Sequence, residues 1–221
     1  MAESVVRIAG ALVAAYFIGA IPFALVIGKR FYGVDVREHG SGNLGATNVL
    51  RVLGAKAALA TFGLDIAKGA AAVGVAVLVH PPGISETAHD WVLIGAMIAA
   101  VLGHSYSPYV RFTGGKGVAT AAGALLVITP LAWPILFGTF VLVIYITRIV
   151  SLGSIVIALQ FPVLMLLLYG DRIAFVALSF LAAALVIWRH RANIGRIWRG
   201  EEARISVGKR TAGPDEEGRT S

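Results

Sequence analysis

The sequence predicts an all-α membrane protein, a seven-transmembrane helical bundle with its N-terminus outside and its C-terminus inside. Three observations predict it. Of the 221 residues, 57% are hydrophobic and only 14% charged, with mean hydropathy +0.81, which excludes a soluble globular chain and a disordered one. Uncharged runs of crossing length recur along the chain. Lys and Arg gather on one side of the bilayer when those runs are threaded with an odd number of crossings.

A crossing helix needs about 20 residues to traverse a hydrocarbon core of about 30 Å. The first run, residues 8–28, meets that length; it is too long for the apolar region of a cleavable signal, and no small-residue cleavage site follows it. The second, residues 57–79, is broken only by Asp65 and Lys68. These lie at i and i+3, so the spacing predicts an ion pair facing the bundle, since a charge in lipid persists when paired. Residues 91–110, 149–170 and 173–188 each make one further crossing.

Residues 117–147 are too long for one upright crossing and too short for two full ones, with Thr129, Pro130 and Pro134 near the middle. Charge decides. With two short helices turning at Thr129-Pro130, sixteen of the nineteen Lys and Arg share the inner face. With one crossing, Arg148 and the basic tail would face outward, against the positive-inside tendency.

Residues 1–200 thus form the membrane domain. Residues 201–221 form a cytoplasmic tail whose distal part, 211–221, is rich in Gly, Pro and Glu and expected to be disordered. The outer connections, 80–90 and 169–172, read as plain loops with His80 and His89 solvated. Trp91, Trp133, Trp188 and Trp198 fall at span ends and read as interfacial anchors. Cysteine is absent, which excludes disulfides, thiolate metal sites and a protein-borne thioester. The formal charge of +7 points to membrane lipids and anionic substrates, not nucleic acid, as partners.

Three polar stretches share the inner face. The first, residues 39–51, reads HGSGNLGATNVLR. Its glycines let successive backbone N–H groups converge on an anion. Thr47 or Asn48 is expected to cap the following helix, with Arg51 one turn in as a planar fork of donors. The second, GHSYSPYVRFTGGKGVAT at residues 103–120, has no Walker A spacing. Lys116 at a helix start adds to the positive end of the macrodipole, which favours an anion between them; contact with lipid headgroups is the other reading. His104 reads either as a hydrogen-bonded structural group or as a catalyst. The third, RHRANIGRIWRGEE at residues 189–202, puts Arg189, Asn193 and Arg196 on one helical stripe, with His190 and Asn193 neighbours and Glu202 paired to Arg196 or Arg199. A basic membrane-surface helix is its alternative.

These segments, with LDIAKG at residues 64–69, resemble the bacterial membrane glycerol-3-phosphate acyltransferases that use acyl phosphate, the PlsY type. The resemblance spans most of the membrane portion in family order. It implies a seven-span inner-membrane enzyme, its active site facing the cytoplasm. Such an enzyme moves a fatty acyl group from acyl phosphate to the 1-hydroxyl of glycerol 3-phosphate, giving lysophosphatidic acid and phosphate in the first acylation of phospholipid synthesis. It also implies a functional link to an enzyme that makes acyl phosphate, and no cofactor. Carried over, the catalytic positions are Ser41, Arg51, Lys116, His190 and Asn193. The phosphate-binding positions are Gly42, Asn43, Gly45, Thr47, Asn48, Gly114, Gly115, Gly117 and Arg196. The third motif commonly ends Gly-Thr-Glu, where this chain has Gly200, Glu201 and Glu202, and the role of Glu201 is open.

The residues themselves agree. Both substrates carry phosphate, so two anion pockets are needed close together. Acyl phosphate is already activated, so no nucleophilic residue and no metal are demanded; alignment and charge stabilisation suffice. His190, Ser41 or a substrate phosphate is the candidate base. No histidine is followed five residues later by aspartate, which argues against the His-x4-Asp acyl-CoA enzymes. Asp65 stands alone in the spans, which argues against a metal-dependent alcohol phosphotransferase. A transporter of a phosphorylated organic anion is the alternative; it requires a polar pathway through the midplane.

Overall fold

The computed structural model describes residues 2–81 and 83–205. Ten α-helices and one 3₁₀ turn form the described chain: α1 (Ala2–Ala20), α2 (Phe23–Tyr32), α3 (Ala46–Leu53), α4 (Ala55–Leu78), α5 (Glu86–Ser105), the turn Pro108–Val110, α6 (Val118–Ile128), α7 (Trp133–Thr147), α8 (Val150–Leu168), α9 (Ile173–Arg189) and α10 (Arg191–Trp198). The distal tail lies outside the described residues.

The chain is an all-helical, multi-pass membrane protein. Four stretches are long and apolar enough to cross a bilayer: Ala2–Tyr32, Ala55–Leu78, Glu86–Val110 and Val150–Leu168; α9 and α10 meet that standard only when taken together across a 61° bend. The long uncharged run breaks where proline predicts. With 11 and 15 residues, α6 and α7 rise only about 17 and 23 Å. Trp133 opens α7. Its ring stacks on Phe137 at 4.8 Å and its indole N–H donates back to Ala122 O at 2.8 Å, so it closes the turn between the two helices.

Packing depends on small residues, because apolar surface gains nothing from leaving lipid for a partner helix and close van der Waals fit must hold the bundle. The main core is built from alanines of α1, α4, α5 and α6, with Met97, Phe161, Met165 and Phe175. Where α1 crosses α5, Gly19 lies against the backbone of Ala100 and Gly103 against that of Tyr16. Where α4 crosses α6, Gly69 meets Thr120 O and Gly123 meets Ile66 O. A methyl group at any of these four would overlap a backbone atom. A second, smaller core of Ala24, Ile27, Val36, Leu44, Val49, Ala57, Ala58 and Val110 lies beneath the first polar loop.

Pro22 interrupts the first crossing because it has no N–H to give. The carbonyls left behind are taken by other segments: Ala20 O accepts from Ser107 Oγ at 2.7 Å, and Ile21 O accepts from Lys68 Nζ at 2.8 Å. The expected ion pair is present, with Lys68 Nζ 2.7 Å from Asp65 Oδ1 and both side chains buried.

The connections at 80–90 and 169–172 are less plain than expected. Arg172 forks onto Asp90, with Nε 2.7 Å from Oδ2, and Tyr169 Oη accepts from Leu131 N at 3.2 Å. Nor is His80 separately solvated from His89: their Nδ1 atoms lie 2.7 Å apart. The Arg172 and Tyr169 contacts join segments distant in sequence, which loop composition does not reveal.

Candidate active site

The first polar loop is held shut by its own asparagine. Asn48 is buried; its Nδ2 donates to Val36 O at 2.9 Å and His39 O at 3.2 Å, while Oδ1 accepts from Ser41 N at 2.8 Å and Ser41 Oγ at 3.2 Å. That side chain is spent on the loop and caps nothing. The residue preceding α3 is Gly45, in extended conformation with no side-chain cap, and Thr47 lies inside the helix. Asp35 adds a surface clamp, bound by Arg37 at 2.6 and 2.9 Å and by Lys29 at 3.1 Å; the Arg37 hydrogen bond holds its carboxyl well below the ordinary aspartate value. Ser41 is left exposed and Asn43 half-buried, while Gly42 turns the chain with φ +66°.

The second loop lies flat over His104. Gly115 N donates to His104 O at 3.2 Å, and a Cβ on Gly114 or Gly115 would strike the His104 carbonyl or ring. Glycine at these two positions therefore supplies close approach. Gly117 does need glycine's backbone freedom, with φ +78° immediately before α6. Between them Lys116 Nζ donates to Asn193 Oδ1 at 2.5 Å.

The third stretch is not one helix. A 61° bend at His190 separates Arg189 from the stripe expected with Asn193 and Arg196, and sends it elsewhere. Arg189 Nη2 donates to Gly115 O at 2.8 Å, and its guanidinium lies over Tyr106. At the bend, His190 Nδ1 lies 2.8 Å from Val186 O. Since a carbonyl only accepts, Nδ1 carries the proton and a neutral ring keeps Nε2 as acceptor.

Beyond the bend, Asn193 Nδ2 donates to Glu202 Oε1 at 2.6 Å. Glu202 also accepts from Ser151 Oγ at 2.7 Å and from Arg196 Nε at 2.6 Å. Burial opposes the charged carboxylate, but those three hydrogen bonds together hold Glu202 below the ordinary value. The expected partner Arg196 is confirmed, and Arg199 instead takes Glu201 at 2.7 Å. Ser151, Tyr106 and Tyr16, whose Oη donates to Tyr106 O at 2.8 Å, join the site without having been expected. An isolated polar residue opening an uncharged run was the only signal Ser151 offered.

The three stretches converge on Lys116. Burial, the largest influence, lowers its ammonium to about 8; Glu202 opposes this, while the charges of Arg196, Arg189 and Arg51 add to it. Four cations against one carboxylate make this an anion site. Two residues along, Val118 and Ala119 line an apolar cleft that also takes in Val186, Phe62, Trp133, Phe137, Phe140, Ser154, Ala158 and Phe161. A cationic cluster adjoining an apolar cleft fits a ligand with an anionic head and a hydrocarbon tail.

The family model described as glycerol-3-phosphate acyltransferase matches residues 9–200. The chain belongs to the glycerol-3-phosphate acyltransferase family. It is 46% identical to a glycerol-3-phosphate acyltransferase of Bacillus cytotoxicus, covering 90% of this chain and 96% of the relative. It is 44% identical to one of Acaryochloris marina over 90% and 92%. Among solved structures it is similar to the integral membrane glycerol 3-phosphate acyltransferase PlsY in its glycerol 3-phosphate form, with TM-score 0.79, 38% identity and coverage of 90% and 96%. The lysophosphatidic acid form gives TM-score 0.77 at the same identity over 89% and 94%. Like the family it belongs to, the chain is an acyltransferase.

Proposed function

We propose that this acyltransferase moves a fatty acyl group from acyl phosphate to the 1-hydroxyl of glycerol 3-phosphate. The observation that carries the reading is the meeting of the Lys116 cluster with the apolar cleft. The acyl tail lies in the cleft, and its phosphate and that of glycerol 3-phosphate share Lys116, Arg51, Arg189 and Arg196.

In the reaction the glycerol oxygen bonds to the acyl carbonyl carbon. The anhydride C–O bond breaks, and phosphate departs with the electron pair. His190 Nε2 takes the hydroxyl proton and passes it to the leaving phosphate. Ser41 Oγ orients the attacking oxygen by turning its own proton from Asn48 Oδ1 to that oxygen's lone pair, leaving the hydroxyl proton to His190. Lys116 and Asn193, with Arg51, stabilise charge developing on the carbonyl and phosphate oxygens. Gly42, Asn43, Gly45 and Thr47 shape the pocket around Arg51, and Gly114, Gly115 and Gly117 shape the one around Lys116.

The enzyme works as a seven-span bundle of the bacterial inner membrane, N-terminus outside, with the site open to the cytoplasm, where another enzyme supplies acyl phosphate. The short α6 and α7 serve as the fourth and fifth crossings. The test is phosphate release and lysophosphatidic acid formation by purified protein given palmitoyl phosphate and glycerol 3-phosphate, with palmitoyl-CoA as control donor. Equal use of the CoA ester overturns the donor assignment. Because the chain has no cysteine, a single Cys at exposed Trp198 reports topology cleanly: an impermeant maleimide added to intact cells leaves it unlabelled, and labelling refutes the orientation.

A further inference from the structure

Lys68 is a buried ammonium with three donors and no acceptor, and three groups surround it: Asp65 Oδ1 at 2.7 Å, Ile21 O at 2.8 Å and His104 Nδ1 at 2.9 Å. Nδ1 of His104 must therefore accept, which leaves the ring proton on Nε2. That nitrogen faces Gly115 so closely that a Cβ there would overlap it. His104 O meanwhile receives Gly115 N at 3.2 Å, and the next residue is Lys116.

We propose that His104 is a positioning residue for the acyl transfer: Lys68 and Asp65 hold its imbedded ring in one tautomer, and the ring's Nε2 edge is the floor that sets the Gly114-Gly115-Lys116 loop at the height where Lys116 meets Asn193. This rests on the function proposed above. It places the buried pair of α4 in the service of that loop, through one ring of α5.

Two replacements separate this from simple satisfaction of Lys68. Asn at position 104 puts a carbonyl oxygen where Nδ1 was but leaves the Nε2 place empty; Gln reaches the Nε2 place with its amide. The expected result is that His104→Gln keeps kcat within about threefold of wild type. His104→Asn, equally folded by thermal unfolding, loses about 30- to 100-fold, the scale of an ångström misplacement. A second readout is the alkaline limb of kcat/KM for glycerol 3-phosphate. It moves upward in the Asn variant as Lys116 relaxes toward solvent and away from Glu202, Arg196, Arg189 and Arg51, and stays in place in the Gln variant. Wild-type kcat and limb in a folded Asn variant, or equal loss in both variants, overturns the proposal. Should wild type form no lysophosphatidic acid from palmitoyl phosphate, the donor assignment fails instead. Thermal stabilisation by glycerol 3-phosphate, kept by Gln and lost by Asn, then still decides the role of His104.

Discussion

Lys116 Nζ donates to Asn193 Oδ1 across 2.5 Å, joining residues 77 positions apart. Through the same amide Lys116 is tied to Glu202, and through Glu202 to Ser151 and Arg196. The ammonium is held in place before any substrate phosphate arrives, which is the preorganisation that electrostatic catalysis requires.

Lys116→Ala removes that ammonium and lowers kcat by at least about 10²- to 10³-fold. The melting temperature stays close to wild type, because the loop around it is held by His104 and Arg189. Lysophosphatidic acid formation and thermal unfolding measured on one preparation check both halves.

With Lys116 titrating at about 8, its charge is present below that pH and lost above it. kcat/KM for glycerol 3-phosphate, which reports the free enzyme, falls as pH rises through about 8. kcat holds to higher pH, since a bound phosphate favours the charged ammonium. A flat kcat/KM from pH 7 to 10 contradicts this.

Glu202→Ala strands Asn193, Arg196 and Ser151 together. Hydrogen bonds to a charged group contribute about 1.5–3 kcal/mol each net of water, and Arg196, 41% exposed, re-solvates once its partner is gone, so stability falls by about 2–4 kcal/mol, with Ser151→Ala well below that. The native carboxylate is held below its ordinary value, so its contribution is present above the unfolded pKa and lost as pH falls through the folded one. Denaturation of wild type and Glu202→Ala at pH 7 and in acid measures the difference.

Gly123→Ala places a methyl on the Ile66 carbonyl where α6 crosses α4, and the protein fails to assemble. Gly63→Ala and Gly74→Ala, on α4 itself with nothing within 4 Å of the added carbon, are tolerated or gain up to about 1 kcal/mol from helix propensity. Yield of monodisperse protein in detergent distinguishes the three.

Ala158 lines the apolar cleft, and Ala158→Phe fills part of it. kcat/KM for palmitoyl phosphate drops at least tenfold while that for a short-chain acyl phosphate changes little; equal losses on both would remove the cleft as the acyl site.

Much of this was legible in the chain. Glycine-rich segments holding Ser41, Arg51, Lys116 and Asn193 stand out in so apolar a sequence, and the i, i+3 spacing of Asp65 and Lys68 announces their pairing. Pro130 and Pro134 mark the break between α6 and α7. What was not legible depends on partners far along the chain. Asn48 turns inward because the first loop folds over it, Arg189 leaves its stripe because the helix bends at His190, and Ser151 matters only once Glu202 arrives. No local pattern encodes His104 as the third contact of Lys68.

The Lys116–Asn193 contact also has a consequence for biogenesis. Translation delivers the lysine loop long before Asn193 and Glu202 emerge from the ribosome, so a nascent chain already threaded into the bilayer lacks the partner that fixes its ammonium. The arrangement around Lys116 is therefore completed only after α10 and Glu202 have been made.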